Sequence, residues 1–286
     1  MQMSTIHDSD LNPGEPAGQP QAPLISIITV NFNNQAGLMR TLSSVSEQTF
    51  ADFEQIVVDG GSSDGSAKVL QNKSLTIARW VSEPDRGIYH AMNKGIRMAR
   101  GRYLMFLNSG DHLLDSNSLE VAASVIDDKD IYYFSLEMRP LPGKGDIRIK
   151  SYPGKLTFSF FFRDTLPHQS SFLKADLFER FGLYDENLRM GSDWKHFLLW
   201  VCRHNCSYSY DPRVMGVFYE DGLSSSSEAP SIHLAEHKEV LEAEFPAFVE
   251  DLSFMSQGRE LSMKLDTLRS SRIIRLAQRV CLMWRF

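Results

Sequence analysis

Short apolar runs alternate with amphipathic stretches along the first 115 residues. Leu24 to Val30 is β-rich and ends at Asn31-Phe32-Asn33-Asn34, after which Leu38, Leu42 and Val45 share one helical face. Phe53 to Val58 predicts a second strand, ending in Asp59-Gly60-Gly61-Ser62-Ser63-Asp64-Gly65, with a short helix through Val69 and Leu70. Leu75 to Val81 predicts a third strand, ending in Glu83-Pro84-Asp85-Arg86-Gly87. Next comes a helix with Ile88, Met92, Ile96 and Ala99 on one stripe and Gly101 as its C-cap. The fourth run, Tyr103 to Leu107, is apolar throughout, as a strand buried on both faces would be, and breaks into Asn108-Ser109-Gly110-Asp111. Strand and helix alternating at this spacing predict an α/β fold, a mostly parallel sheet wound with right-handed crossovers.

Beyond Asp115 the rhythm changes. A helix is expected around Leu119 to Ile126 and a strand at Ile131 to Phe134. Prolines punctuate residues 139 to 165, which also hold the aromatic cluster Phe158 to Phe162. Helices are expected near Ala175 to Phe181 and Trp194 to Cys202, a late strand at Val214 to Tyr219, and helix from about Glu228 onward. Residues 1–23, rich in Pro, Gly, Gln, Asp and Ser, are expected to be a disordered leader. Residues 259–286 carry seven Lys/Arg against Glu260 and Asp266, with Leu261, Leu265, Leu268, Leu276, Val280 and Met283 at helical spacing. Such a basic amphipathic helix suits an anionic membrane surface, and equally the flank of the domain or a second copy of the chain.

Composition narrows the picture. With 286 residues, 42% hydrophobic and 23% charged, the chain is long enough for one large α/β domain or two small ones. A net charge of −6 argues against nucleic acid as a partner. Three cysteines, Cys202, Cys206 and Cys281, make no disulfide framework, and a reducing, cytoplasmic setting is expected, peripheral on the inner face of the membrane if the basic tail binds there. No run reaches the length of a membrane span. His233-Leu234-Ala235-Glu236-His237 matches an inverted zinc-peptidase motif, but its charged neighbours favour a solvated helix face.

Candidate chemistry gathers at the carboxyl ends of the predicted strands, the edge where open α/β sheets bind ligands. Thr29 and Asn31 can bond a base or ribose, Asp59 can accept from either, and Arg86 beside Asp85 can meet a phosphate. Asp111, with small neighbours, suits a hard divalent cation bridging phosphate oxygens; the competing reading is a turn that caps the next helix. Neither familiar phosphate loop is present. There is no G-x-x-x-x-G-K-[ST], and Asp59 precedes the glycines where a dinucleotide's pyrophosphate would be repelled.

The motifs in order resemble glycosyltransferase family 2. They are Ile25 to Asn33, Gln48-Thr49-Phe50 with Phe53-Glu54, Val57 to Gly65, Glu83 to Tyr89 and Gly101-Arg102-Tyr103. The resemblance is to bacterial enzymes of exopolysaccharide, colanic-acid or O-antigen assembly. It implies a GT-A fold over residues 24–225, with a nucleotide-sugar half (24–115), an acceptor half (116–225) and a helical extension (226–286). It further implies an inverting transferase that moves a sugar from a nucleoside-diphosphate sugar, a UDP-sugar by preference, to a hydroxyl of a glycan or lipid-linked acceptor. The donor would meet Thr29, Asn31, Asp59, Gly60, Asp85, Arg86, Asn108 and Ser109. Asp111 would hold Mg2+ or Mn2+, although Asn108 and Gly110 stand where the family usually has further acids. Gly191-Ser192-Asp193-Trp194 resembles the motif whose acid is the general base, which implies that role for Asp193, with His168 and Trp194 on the acceptor side. Asp193 could also cap a helix. The alternative is an inert nucleotide-sugar or glycan-binding subunit of a membrane assembly complex.

Overall fold

The computed structural model describes residues 22–72, 75–140, 143–220 and 228–248, with positions 251, 254, 261 and 264. The leader and the basic helix expected over 259–286 lie outside the described residues, apart from Ala22, Pro23, Leu261 and Lys264. The chain divides into two compact units between Ser226 and Ser227.

In the first unit the elements run β1 (Ile25–Asn31), α1 (Gln35–Ser46), β2 (Phe53–Asp59), α2 (Ser66–Leu70), β3 (Arg79–Ser82), α3 (Ile88–Met98), β4 (Tyr103–Phe106), β5 (His112–Leu113) and α4 (Ser118–Ala123). They continue with β6 (Ile131–Arg139), β7 (Arg148–Lys150), α5 (Phe158–Phe161), β8 (Ser171–Lys174), α6 (Asp176–Phe181), α7 (Ser192–Leu198) and β9 (Tyr208–Tyr219). One sheet takes all the strands in the order β3-β2-β1-β4-β8-β6-β9-β5, with β7 on β6.

The expected parallel sheet forms from β3, β2, β1 and β4. All seven residues of β1 are buried, because the strand lies at the centre with helices over it. Its register sets Asn31 beside Asp59, so the polar ends of two strands emerge together. The sheet beyond β4 is mixed instead: β8 runs antiparallel to β4 and to β6, while β9 runs parallel to β6. Ile25, Ile27, Tyr103, Met105, Tyr132, Phe134 and Phe172 form one core across this junction, which fuses the two halves.

Two elements depart from the pattern reading, β3 in its start and α3 in its C-cap and its buried face. The third strand begins only at Arg79, because Leu75 and Ile77 pack on Leu38, Leu42, Val57 and Leu70 rather than extend the sheet. Gly101 is not the C-cap of α3, which ends with Ala99 in an extended conformation. A Cβ on Gly101 would lie 2.5 Å from the Ser26 backbone nitrogen, so this glycine permits the close approach of the chain to β1. On α3 the buried residues are Tyr89, Ala91, Met92, Asn93 and Gly95, whereas Ile88 and Ile96 are half-buried.

The stretch after α7 continues as a π-turn, Leu199–Arg203, which carries Cys202; Cys206 follows it and is buried. Burial pushes both thiols up to about 11, so neither is a ready nucleophile or metal ligand. His196 is spent on structure, with its ring nitrogens on the carbonyls of Ser192 and Gly182. The second unit contains α8 (Ala229–Glu244), which carries His233 and His237 with their ring centroids 5.7 Å apart. Among the described residues no three His, Cys, Asp or Glu side chains gather as a metal site, there or elsewhere.

Candidate active site

One sheet edge of the candidate site is built on the ends of β1 and β2. Asp59 is fully buried, and both its oxygens are taken. Oδ1 accepts from Asn31 Nδ2 at 2.7 Å and Ser62 Oγ at 2.5 Å, and Oδ2 from Ser62 N at 3.0 Å and Ser82 Oγ at 2.6 Å. Burial alone would raise its pKa, but the donors on Ser62, Ser82 and Asn31 outweigh it and hold the carboxyl below the usual carboxylate value. Asp59 thus anchors the glycine-serine loop from beneath. Thr29, also fully buried, sits near Gln55 inside the sheet and does not line the edge.

Gly60, itself buried, lies against Phe32 and Asp85. A Cβ there would meet Phe32 Cδ2 at 3.2 Å and Asp85 Oδ2 at 3.4 Å. Phe32 is 66% exposed, and Asp85 Oδ2 is a buried acceptor with no partner. The other Asp85 oxygen takes Lys94 Nζ at 2.7 Å and lies 3.0 Å from His90 Nδ1, which fixes the carboxylate in place. Phe32 is missing from the residues expected at the site; its signal is a large apolar side chain immediately after a strand, where burial is not possible. Arg86 is 74% exposed and bonds Glu186 Oε2 at 2.5 Å, a partner from the segment between α6 and α7.

The Asn108–Asp111 loop is shaped by α1. Thr41 Oγ1 accepts from Gly110 N at 3.0 Å and donates to the Asp111 carbonyl at 2.6 Å; Arg40 Nη1 donates to the Gly110 carbonyl. Asn34 Nδ2 donates to the Ser109 carbonyl, and Ser109 N to the Val30 carbonyl. Gly110 has φ +111°, which the turn needs and which a side chain would strain. Asp111 is left 8% exposed at the loop's end.

Across from this loop a chain of side chains crosses from one half to the other. Asn108 Nδ2 is 3.2 Å from His168 Nε2, His168 Nδ1 is 3.1 Å from Asp193 Oδ2, and Tyr89 Oη donates to Asp193 Oδ1 at 2.8 Å. Asp193 is in the first turn of α7, and the N-cap is Gly191, so the carboxylate is not the cap. Burial opposes its ionisation, yet the His168 bond and charge, with the Tyr89 and Trp194 N–H bonds, keep it below the usual carboxylate value. His168 is shifted the other way. Burial would lower it, but the bond and charge of Asp193 and the charge of Asp111 raise it. Both acids therefore act on one imidazole, and the Asn108–His168 contact ties the loop after β4 to the segment that carries His168. Trp194 stands apart. It is 2% exposed and donates its indole N–H to the Phe161 carbonyl at 2.7 Å, so it packs rather than faces a ligand.

The family profile described as glycosyl transferase family 2 matches residues 26–185, more than half of the chain. The chain belongs to glycosyl transferase family 2. An uncharacterized glycosyltransferase of Mycobacterium tuberculosis is 34% identical over 182 residues, 62% of this chain and 68% of that one. The Escherichia coli enzyme WfgD, a UDP-Glc:α-D-GlcNAc-diphosphoundecaprenol β-1,3-glucosyltransferase, is 35% identical over 104 residues, 36% of this chain and 41% of its own. Two solved structures share the fold at 18% identity. Staphylococcus aureus TarS has a TM-score of 0.58 over 77% of this chain, which spans only 38% of TarS. The mannosyltransferase PcManGT of Pyrobaculum calidifontis, in complex with GDP-Man and Mn2+, has a TM-score of 0.59 over 85% of this chain and 72% of its own. This glycosyltransferase therefore has the mixed α/β architecture of GT-A enzymes.

Proposed function

We propose that this glycosyltransferase takes a nucleoside-diphosphate sugar, with UDP favoured, and inverts the anomeric carbon as it transfers the sugar to a hydroxyl of a glycan or lipid-linked acceptor in cell-surface polysaccharide assembly. The observation that carries this reading is the Asn108–His168–Asp193–Tyr89 chain. It joins a carboxylate–imidazole pair to Asn108, on the loop that carries Asp111, which supports a reading in which displacement at one carbon has a proton acceptor on one side and charge neutralisation on the other. WfgD, which uses a UDP-sugar and a diphosphoundecaprenol-linked sugar, supports the donor and acceptor classes. The nucleobase enters over Gly60 beside Phe32, with a ring N–H on Asp85 Oδ2, while Asn31 and Ser109 border the ribose and diphosphate. Arg86 leaves Glu186 to meet the diphosphate.

Asp111 alone fits a divalent cation that arrives with the donor, because Mg2+ commonly takes one or two carboxylates and completes its shell with phosphate oxygens and water. Mg2+ or Mn2+ bound there would neutralise the leaving diphosphate. Residues of this chain supply the rest: Phe32, Gly60 and Asp85 orient the donor, and the Asp193–His168 pair receives the proton.

The test is transfer from a panel of nucleotide-sugars, with donor binding followed by thermal shift. Asp193→Asn is expected to lose at least 10³-fold in kcat and to retain nucleotide binding, whereas Asp111→Ala weakens both. Donor binding without turnover in the wild-type protein would favour an inert binding subunit instead.

A further inference from the structure

We propose that His168 Nε2 takes the proton of the acceptor hydroxyl, and that Asp193 is the positioning residue that fixes the imidazole for it. The inference rests on the glycosyl-transfer reading above and assigns the base within it. A carboxylate only accepts, so the 3.1 Å contact from Asp193 Oδ2 requires the hydrogen on His168 Nδ1. The lone pair is then on Nε2, where Asn108 Nδ2, a donor, meets it at 3.2 Å. Asp193 is already engaged at both oxygens, by Tyr89 and His168, and takes the Trp194 N–H as well. Its side chain is 13% exposed and that of His168 is 21%, so the ring is the more open partner.

Asn108 makes both charge states of the ring acceptable. Its Oδ1 is buried and has no partner while Nδ2 faces the neutral ring. When the ring gains a proton, a turn of the amide presents Oδ1 to Nε2–H, which satisfies an orphaned acceptor as the charge appears. An aspartate at position 108 would instead bind a protonated ring permanently. The asparagine in this loop therefore belongs with the imidazole across from it.

The step balances as follows. The acceptor hydroxyl displaces the Asn108 amide from Nε2, its proton passes to that nitrogen, and its oxygen forms the bond to the anomeric carbon. The bond from that carbon to the phosphate oxygen breaks, and the electron pair leaves with the nucleoside diphosphate. The imidazolium, stabilised by Asp193, then loses its proton to water. The charges acting on the ring are those of Asp193 on α7 and, in smaller measure, Asp111 after β4, and both favour the imidazolium. A base works unprotonated, so the acid limb of kcat/KM is expected above the ordinary imidazole value of about 6.5. With Asp193 as the base, that limb would lie below about 4.

The experiment uses the full chain, with the donor and acceptor found by the panel. His168→Gln can still bond Asp193 but takes no proton; the expected result is a fall in kcat of about 10²- to 10⁴-fold, with UDP binding changed less than about threefold. His168→Ala should regain part of its rate with added imidazole. The wild-type acid limb should lie above pH 6.5 and vanish from the residual activity of His168→Gln. A His168→Gln enzyme within fivefold of wild-type kcat, or one with an unchanged acid limb, would return the base to Asp193 and overturn the proposal. UDP binding by each variant shows that it is folded. Wild-type protein that transfers no sugar from any donor sinks the transfer reading itself, and this inference with it.

Discussion

Asp59, fully buried, and Asp193, half-buried, are both carboxylates held below the usual carboxylate value, but for different ends. Asp59 spends its lone pairs on four donors, two from Ser62 in its own loop and one each from Asn31 at the end of β1 and Ser82 at the end of β3, and its depressed pKa makes it a stability device. A folded-state pKa below the unfolded value of about 3.9 gives stability that is complete above that pH and is lost as the pH falls through the folded value. Asp59→Asn is therefore expected to cost about 1–3 kcal/mol at pH 7, because an amide sets an N–H against hydroxyl and amide donors. The difference in denaturation midpoint between mutant and wild type should shrink below about pH 4. Side-chain direction is what the sequence could not display here. Thr29, Asp59 and Trp194 belong to the right segments, yet all three point inward, and only the register of β1 on β2 and the seating of α7 show it.

At the scale of elements, β1, β2 and β4 were legible because a central strand buried on both faces has little freedom in composition. The face of α3 was not. Apolar spacing picks Ile88, Met92, Ile96 and Ala99, but two polar-tipped residues, Tyr89 and Asn93, find partners inside and rotate the buried side toward them. Hydropathy counts such residues as surface. The same blindness hid Gly101, whose lack of a Cβ serves a contact 75 residues away in sequence, the bond from its N–H to Ser26 Oγ at 2.8 Å. Gly101→Ala would press a methyl on the backbone of β1 at 2.5 Å, and backbone gives less readily than a side chain. An overpacking cost of about 1–3 kcal/mol is expected, read as a lower urea midpoint with the m-value unchanged.

Across the first unit, the two halves are joined by polar contacts as well as by the shared core. Asn93 on α3 donates to the Tyr184 carbonyl at 2.9 Å and to Glu186 at 3.0 Å, and accepts from Tyr184 N at 3.0 Å. Tyr184 and Glu186 precede the turn that leads to Asp193, so this buried amide helps set where Asp193 lies. Asn93→Ala should lower stability by about 1–3 kcal/mol and reduce kcat by roughly tenfold or more, with a smaller effect on UDP affinity. Calorimetry alongside steady-state rates checks the split; equal losses in binding and turnover would mean that the amide supports the donor edge instead.

One hydroxyl has a wider consequence. Thr41 belongs to the first helix, yet its oxygen is the post around which the Gly110–Asp111 backbone is wound. The loop is thus no portable cassette. Grafted onto another scaffold as the four letters Asn-Ser-Gly-Asp, it would arrive without the threonine that gives it shape, and engineering of donor preference in this enzyme has to carry α1 along with it.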